Sequence, residues 1–285
     1  TMMSQRKQIA IVGTGLIGGS LALRLHEKKL SSHLIGVDND EKHAEKAIAM
    51  ELVDEILPLE EAIQRSEVII LAIPVDAIKR ELSGILDRID GQIVIDLGST
   101  KQQLIESVKN HRNRGRYVAA HPMWGTEYSG PESALREAFT AKAVVICDPD
   151  ACDADALVWT RHMFEKIGMR ILDMEAEAHD LHAAYVSHIS HVTSFALANT
   201  VLEKEKEDNA IFNMASGGFE STVRLAKSNP LMWLPIFLHN RVNVLDVLNE
   251  HIGQLEKFRD ALYSGDESKL IHWMENANRI RRIVG

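Results

Sequence analysis

From residue 8 to about residue 172 the chain alternates short runs of β-branched and aliphatic residues with amphipathic stretches. The runs are QIAIV, HLIGV, VIILAI, QIVID, RYVAA, KAVVIC and GMRIL. Each is apolar on consecutive positions rather than on every second one, the mark of a strand covered on both faces. Strands of that kind separated by helical segments predict a parallel sheet with helices on either side. After Asp173 the strand pattern stops. Residues 175 to 283 repeat Leu, Ile and Val at spacings of three and four, as in LPIFLHNRVNVLDVLNEHIGQLEKFRDAL, and this period predicts helices. Breaks fall at Ser216-Gly217-Gly218, at Asn229-Pro230 and at Ser264-Gly265. The expected architecture is α/β: an N-terminal Rossmann-type doubly wound sheet in residues 1–173, then an all-helical domain in residues 174–285. A chain of 285 residues suits two such domains.

The loop after the first predicted strand, IAIVGTGLIGGS, carries Gly13, Gly15 and Gly18 in the spacing G-x-G-x-x-G. The first glycine permits a tight turn, the second lets backbone approach a pyrophosphate, and the third allows close packing of helix on strand. Twenty residues after Gly18, Asp38 ends the second predicted strand, where a carboxylate accepts from a ribose 2′-hydroxyl. Asn39 and Asp40 follow with no arginine, which disfavours a 2′-phosphate. The expected cofactor is therefore NAD, held by Gly13, Gly15, Leu16, Ile17, Gly18 and Asp38, with Ile73 and Pro74 at the end of the third strand.

A second chemical segment is HPMWGTEYSG at 121–130, directly after the strand RYVAA. A neutral imidazole at the carboxyl edge of such a sheet is suited to take the proton of a substrate hydroxyl while hydride leaves the same carbon. Pro122 and Gly125 would fix the loop, and Glu127 would supply a charge near the opening. IDLGSTK at 95–101 ends another strand and points Ser99 and Lys101 toward the same crevice. Ser99 is read in two ways, as a group that fixes the histidine's tautomer and as the N-cap of the helix beginning KQQLIESV.

The balance of 41 acidic against 32 basic residues, a net −9, disfavours nucleic acid and anionic membrane surfaces as partners. Cys147 and Cys152 are the sole cysteines and suggest neither a disulfide framework nor a thiolate metal site. With no secretion signal and no long apolar run, a cytoplasmic location is expected. His179, His182, His188 and His191 form two H-x-x-H pairs on one predicted helix. No carboxylate stands at a zinc-hydrolase spacing beside them, and no metal is expected.

Taken in order, GTGLIGGS, DLGSTK, HPMWGTEYSG, SHISH at 187–191 and SGGFESTVRLAKSNPLMW at 216–233 resemble the motifs of the prephenate dehydrogenase family, which includes the arogenate dehydrogenases of tyrosine biosynthesis. The resemblance implies NAD-dependent oxidative decarboxylation and a homodimer formed through the helical domain. It implies that His121 is the catalytic histidine and that Ser99 sits against it and the nicotinamide. Arg224 would bind a substrate carboxylate, with Lys101 or Lys227 as lesser assistants. His191, His188, Trp233, Thr126 and Glu127 would line the substrate pocket. Two departures stand out: Ser216 replaces the first glycine of the family's triplet, and Glu220-Ser221 stand where Arg-Asp is usual, so Ser221 cannot pair with an arginine as an aspartate would. The substrate is expected to be prephenate, with arogenate as the alternative. The length leaves no room for a regulatory domain, and feedback by tyrosine at the active site stays open. A β-hydroxyacid-type dehydrogenase would require a K-x-x-N segment, absent from 165–200. An NAD-sensing regulator would not require the histidine, serine and arginine together.

Overall fold

In the computed structural model the described residues are 6–124, 138–208 and 210–284. The apolar runs form the strands β1 (Lys7–Val12), β2 (Ser31–Val37), β4 (Val68–Leu71), β5 (Ile93–Asp96), β6 (Tyr117–Pro122), β7 (Ala143–Cys147) and β8 (Arg170–Met174). A two-residue strand β3 (Glu55–Ile56) adds to one edge, too short to leave a periodic signal. Between them lie helices α1 (Leu16–Glu27), α2 (Glu41–Ala49), α3 (Leu59–Arg65), α4 (Val75–Arg88), α5 (Gln102–Val108) and α6 (Ala154–Lys166). The strand order is β3-β2-β1-β4-β5-β6-β7-β8. The direction of the chain across the sheet reverses between β1 and β4, the place where open α/β sheets bind ligands.

Alternation along each strand sends side chains to two separate cores. Ile9, Ile11, Ile70, Ile95, Val118 and Ala120 belong to one, while Ala10, Val12, Leu71, Val94, Tyr117 and Ala119 belong to the other. Ile11, Ile70 and Ile95 are fully buried, and truncating any of them to alanine would cost about 2–5 kcal/mol. One expectation is corrected. The sheet is not parallel throughout, because β6 and β7 pair antiparallel, with Ala120 opposite Ile146 and His121 opposite Val145. A double-faced apolar run specifies burial, not direction, so this reversal leaves no trace in the pattern.

From Ala176 onward the described chain is helical: α7 (Ala176–Ala183), a π-helical turn at Ala184–His188, α8 (Ile189–Glu205), α9 (Gly217–Val223), α10 (Pro230–His239), α11 (Arg241–Ser264) and α12 (Glu267–Asn278). Asn229-Pro230, read as a break, opens α10: the Asn229 side chain accepts the Leu231 N–H, and Pro230 takes a first-turn position that needs no donor. By packing, the chain divides into one compact unit up to Asn240 and another from Arg241. In the first unit, Ala176 of α7 and Ile236 of α10 belong to the second core, with Trp233 packed against it. In the second, Trp273 of α12 donates from Nε1 to Gln254 of α11 at 3.1 Å and packs on Phe258. Among the described residues no helix is long and apolar enough to cross a membrane.

Candidate active site

The glycine loop leaves β1 and enters α1 with each glycine under a different constraint. Gly13 has φ +96°, and a Cβ there would lie 2.4 Å from the Ala72 carbonyl oxygen, so the loop presses directly on the chain leaving β4. A Cβ on Gly18 would lie 1.9 Å from the Gly13 carbonyl oxygen. Among the described residues, a Cβ on Gly15 would meet no atom within 4 Å. Nothing among the described residues therefore demands glycine at 15, whereas backbone exposed at a helix N-terminus is what a pyrophosphate approaches. Leu16 is buried and Ile17 half-buried against the first core. Ile73 packs against the second, and Pro74 precedes the first turn of α4. Asp38 follows β2, and its Oδ2 accepts from the Thr14 N–H at 2.9 Å and the Thr14 hydroxyl at 2.8 Å. Thr14, unremarked in the motif, thus ties the Asp38 carboxylate to the loop.

His121 lies at the carboxyl end of β6 with 8% of its surface exposed. On β6 it alternates with Ala120, so it faces the second core, the side covered by α7 and α10. Its Nδ1 lies 2.8 Å from Nε2 of His179 on α7. His179 Nδ1 in turn lies 2.7 Å from Asp180 Oδ1. Burial above all, and then the neighbouring His179, Lys101 and His188, hold the His121 imidazole well below the ordinary histidine range, so it is neutral near pH 7.

Three roles expected for the DLGSTK segment are corrected. Ser99 is not the N-cap of α5: the helix starts at Gln102 after Lys101, and the N–H groups of Lys101 and Gln102 donate to the Asp180 carboxylate. His179, not Ser99, is the residue at His121 Nδ1; Ser99 remains half-buried in the loop between β5 and α5. Nor does Lys101 face a substrate. Its ammonium is fully buried and donates to Asp96, whose other oxygen accepts from the Tyr117 hydroxyl at 2.5 Å. Burial and Asp96 together push the Tyr117 phenol well above its usual range, keeping it a donor.

On the helical side, Trp233 of α10 gathers the other predicted residues. His191 stacks on its ring at 3.4 Å between centroids, and His188 meets it edge-on at 5.9 Å. His191 donates from Nδ1 to the Ser187 carbonyl at 3.2 Å. Burial, opposed by that bond and aided by the charge of Arg224, lowers its affinity for a proton. Arg224, at the start of the 3-10 turn Arg224–Lys227, is thus within electrostatic reach of His191. His188 is fully buried, its Nδ1 3.1 Å from the Asn240 side chain and its Nε2 without a hydrogen-bond partner among the described residues. Burial pulls its pKa down to about 4.

The four histidines do not sit on one uninterrupted α-helix. The π-helical turn separates His179 and His182 from His191, and within the first pair His179 is buried while His182 is exposed. Among the described residues no group of three or more His, Cys, Asp or Glu side chains is placed to hold a metal ion. Ser221 donates to the Gly218 carbonyl at 3.2 Å, and Ser216 precedes α9. Gly125, Thr126 and Glu127 lie outside the described residues. The residues that local motifs did not announce are His179, as a partner of His121, and Asp180. Both act through contacts 58 or more positions away in sequence, and no spacing rule reaches that far.

Residues 21–173 match the family model for the prephenate dehydrogenase nucleotide-binding domain, and residues 175–276 match that for the prephenate dehydrogenase dimerization domain. A cyclohexadienyl dehydrogenase of Zymomonas mobilis is 30% identical over 98% of this chain and 96% of its own length. A prephenate dehydrogenase of Bacillus subtilis is 28% identical over 98% of this chain and 76% of its own. Among solved structures, prephenate dehydrogenase from A. aeolicus in complex with hydroxyphenyl propionate and NAD+ superposes with a TM-score of 0.88 at 27% identity, covering all of both chains. By sequence and by fold over nearly its whole length, the chain belongs to the prephenate dehydrogenase family.

Proposed function

We propose that this chain catalyses the NAD-dependent oxidative decarboxylation of prephenate to 4-hydroxyphenylpyruvate and carbon dioxide. The observation that carries the reading is the buried, uncharged His121 at the carboxyl end of β6, in a chain whose glycine loop leaves Gly15 open to a dinucleotide. Residues 1–173 hold the cofactor, through Gly13, Gly15, Leu16, Ile17 and Gly18, with Asp38 toward the ribose and Ile73 and Pro74 beside the loop. NAD, when bound, supplies the hydride acceptor. Residues 174–285 supply the substrate side.

His121 takes the proton of the ring hydroxyl as hydride leaves the carbinol carbon. The developing ketone draws the electrons of the ring–carboxylate bond, carbon dioxide departs, and the ring becomes aromatic. No covalent bond to the protein is formed, so position and electrostatics are what the residues contribute. Arg224 offers its planar fork to a substrate carboxylate. His188, His191 and Trp233 line the substrate side, Ser99 serves the nicotinamide side, and Thr126 and Glu127 complete the set of substrate-binding residues.

The homodimer is proposed on the match of residues 175–276 to a dimerization domain. It is supported by apolar side chains left open on the helices, with Leu231 78% and Val242 80% exposed. Tyrosine, which keeps the product's phenol, is proposed as an inhibitor acting at the same site.

The test is steady-state NADH formation with prephenate and, separately, with arogenate, for the parent and for His121→Asn. Turnover of prephenate is expected, and the substitution should lower kcat by about 10²–10⁴, the loss of a general base. Tight NAD binding without turnover of either compound would overturn the reading, and faster turnover of arogenate would reassign the substrate.

A further inference from the structure

Behind His121 stands a chain of buried groups whose hydrogen bonds run in a single direction. His121 and His179 meet edge to face, with centroids 5.0 Å apart and planes at 79°, so that Nδ1 of one points at Nε2 of the other. The carboxylate of Asp180 can only accept, and therefore Nδ1 of His179 carries the hydrogen between them. In the uncharged pair, Nε2 of His179 is then a bare acceptor. The hydrogen on the 2.8 Å contact belongs to Nδ1 of His121, and the lone pair of His121 is left on Nε2.

Asp180 itself is held from several sides. Its Oδ1 also accepts the Lys101 N–H at 2.9 Å, its Oδ2 accepts the Gln102 N–H at 3.0 Å, and its main-chain carbonyl accepts from the Asn240 side chain at 2.8 Å. Asp180 and His179 are 1% and 2% exposed, so neither has water as an alternative partner. The other ionisable groups around His121 are Lys101, whose ammonium is bound to Asp96, and His188. Among the described residues neither one hydrogen-bonds to the His121 ring.

We propose that His179, anchored by Asp180, is the positioning residue of the base: it holds His121 in the tautomer whose Nε2 accepts the substrate proton, and it stabilises the charge the imidazole then acquires. The proposal rests on the reading of His121 as the base. The proton moves from the substrate hydroxyl to Nε2 of His121, and the electron pair released on oxygen drives hydride from the carbinol carbon to NAD, so no further reactant is needed.

The experiment uses the full chain with NAD and prephenate, and compares His179→Leu, His179→Gln and His121→Asn alone and in combination. Leucine at 179 should lower kcat by about 10–100-fold, the usual effect of removing a group that orients a reacting histidine. Both Michaelis constants should stay within about twofold, since no ground-state contact is lost. Glutamine, whose side-chain oxygen accepts from Nδ1–H, should restore most of that loss. Added to His121→Asn, leucine at 179 should cost nothing more, because the two residues act as one unit.

If His179→Leu turns over at the parental rate while His121→Asn is crippled, the positioning role is wrong and the base survives. Penalties that multiply in the double variant also overturn it, since a merely structural residue would behave so. A fully active His121→Asn removes the base assignment and this proposal together. Independently of any folding defect, nitrogen-15 NMR of the parent labelled at histidine reads the tautomer directly. Hydrogen on Nδ1 and none on Nε2 of His121 is expected; the reverse would overturn the assignment.

Discussion

The glycine loop and the histidine cluster face ligands by different physics. In the loop the constraint is main chain against main chain: a methyl on Gly13 or Gly18 would collide with a carbonyl oxygen. Around His121 it is side chain against side chain, through His179 and Asp180 on a helix more than fifty residues later in the chain. Backbone contact fixes residue identity within a short stretch and tolerates almost nothing. A hydrogen-bond chain fixes polarity, and accepts any residue that preserves it.

That contrast can be broken most sharply at Gly18. Gly18→Ala forces a Cβ to 1.9 Å from the Gly13 oxygen, and overpacking of this kind should cost about 1–3 kcal/mol or more. Denaturant unfolding and NAD titration should both register it. A variant as stable as the parent would show that the loop yields where the histidine cluster does not.

Acid should act on the other region alone. His188, with a pKa of about 4 against an ordinary 6.5, and His121 both refuse protons that the unfolded chain accepts. The unfolded state then binds more protons, so stability is complete above pH 6.5 and falls as pH drops from there toward 4. The slope should be about 1.4 kcal/mol per pH unit for each such histidine within its window. Melting measured from pH 7 to pH 5 should show it, and His188→Gln should remove its share. A flat profile would mean that these histidines take up protons in the fold as readily as in the unfolded chain.

The mildest change is Gly15→Ala. With no atom of the described residues within 4 Å of the new Cβ, stability should shift by about 0.5 kcal/mol or less, as at an open surface site. NAD affinity should nevertheless fall by about tenfold, the loss expected where backbone must approach a pyrophosphate. Loss of stability with affinity intact would make Gly15 a structural glycine like its neighbours.

What the sequence disclosed follows the same division. Gly13, Gly15, Gly18 and Asp38 were legible because turn, approach and packing act within one strand–loop–helix unit. The two-faced strands were legible because complete burial writes itself as uninterrupted apolar runs. The reversed direction of β7 was not, since side-chain alternation is the same either way along a strand. Lys101 was expected to face the crevice because hydropathy cannot register that Asp96 and Tyr117 await it inside. Ser99 looked like a cap because local rules favour serine there, whereas the donors of α5 are met by Asp180 from α7. His121 was visible from its place after RYVAA; the company it keeps was not.

The π-helical turn at Ala184–His188 sets the angular phase of everything after it. Nine residues at about 100° each would leave His188 half a revolution from His179 on a regular α-helix. Absorbing one surplus residue trims that offset to about 80°, and both buried imidazoles are linked through Asp180, which His179 meets, and Asn240, which His188 meets. Excising a single residue from this turn would relax it to plain α-helix, eight residues at about 100° each, and keep that phase; forcing the turn into regular α-helix at its present length would instead swing His188 and His191 away like a key cut one notch off, leaving the base intact and its substrate wall facing elsewhere.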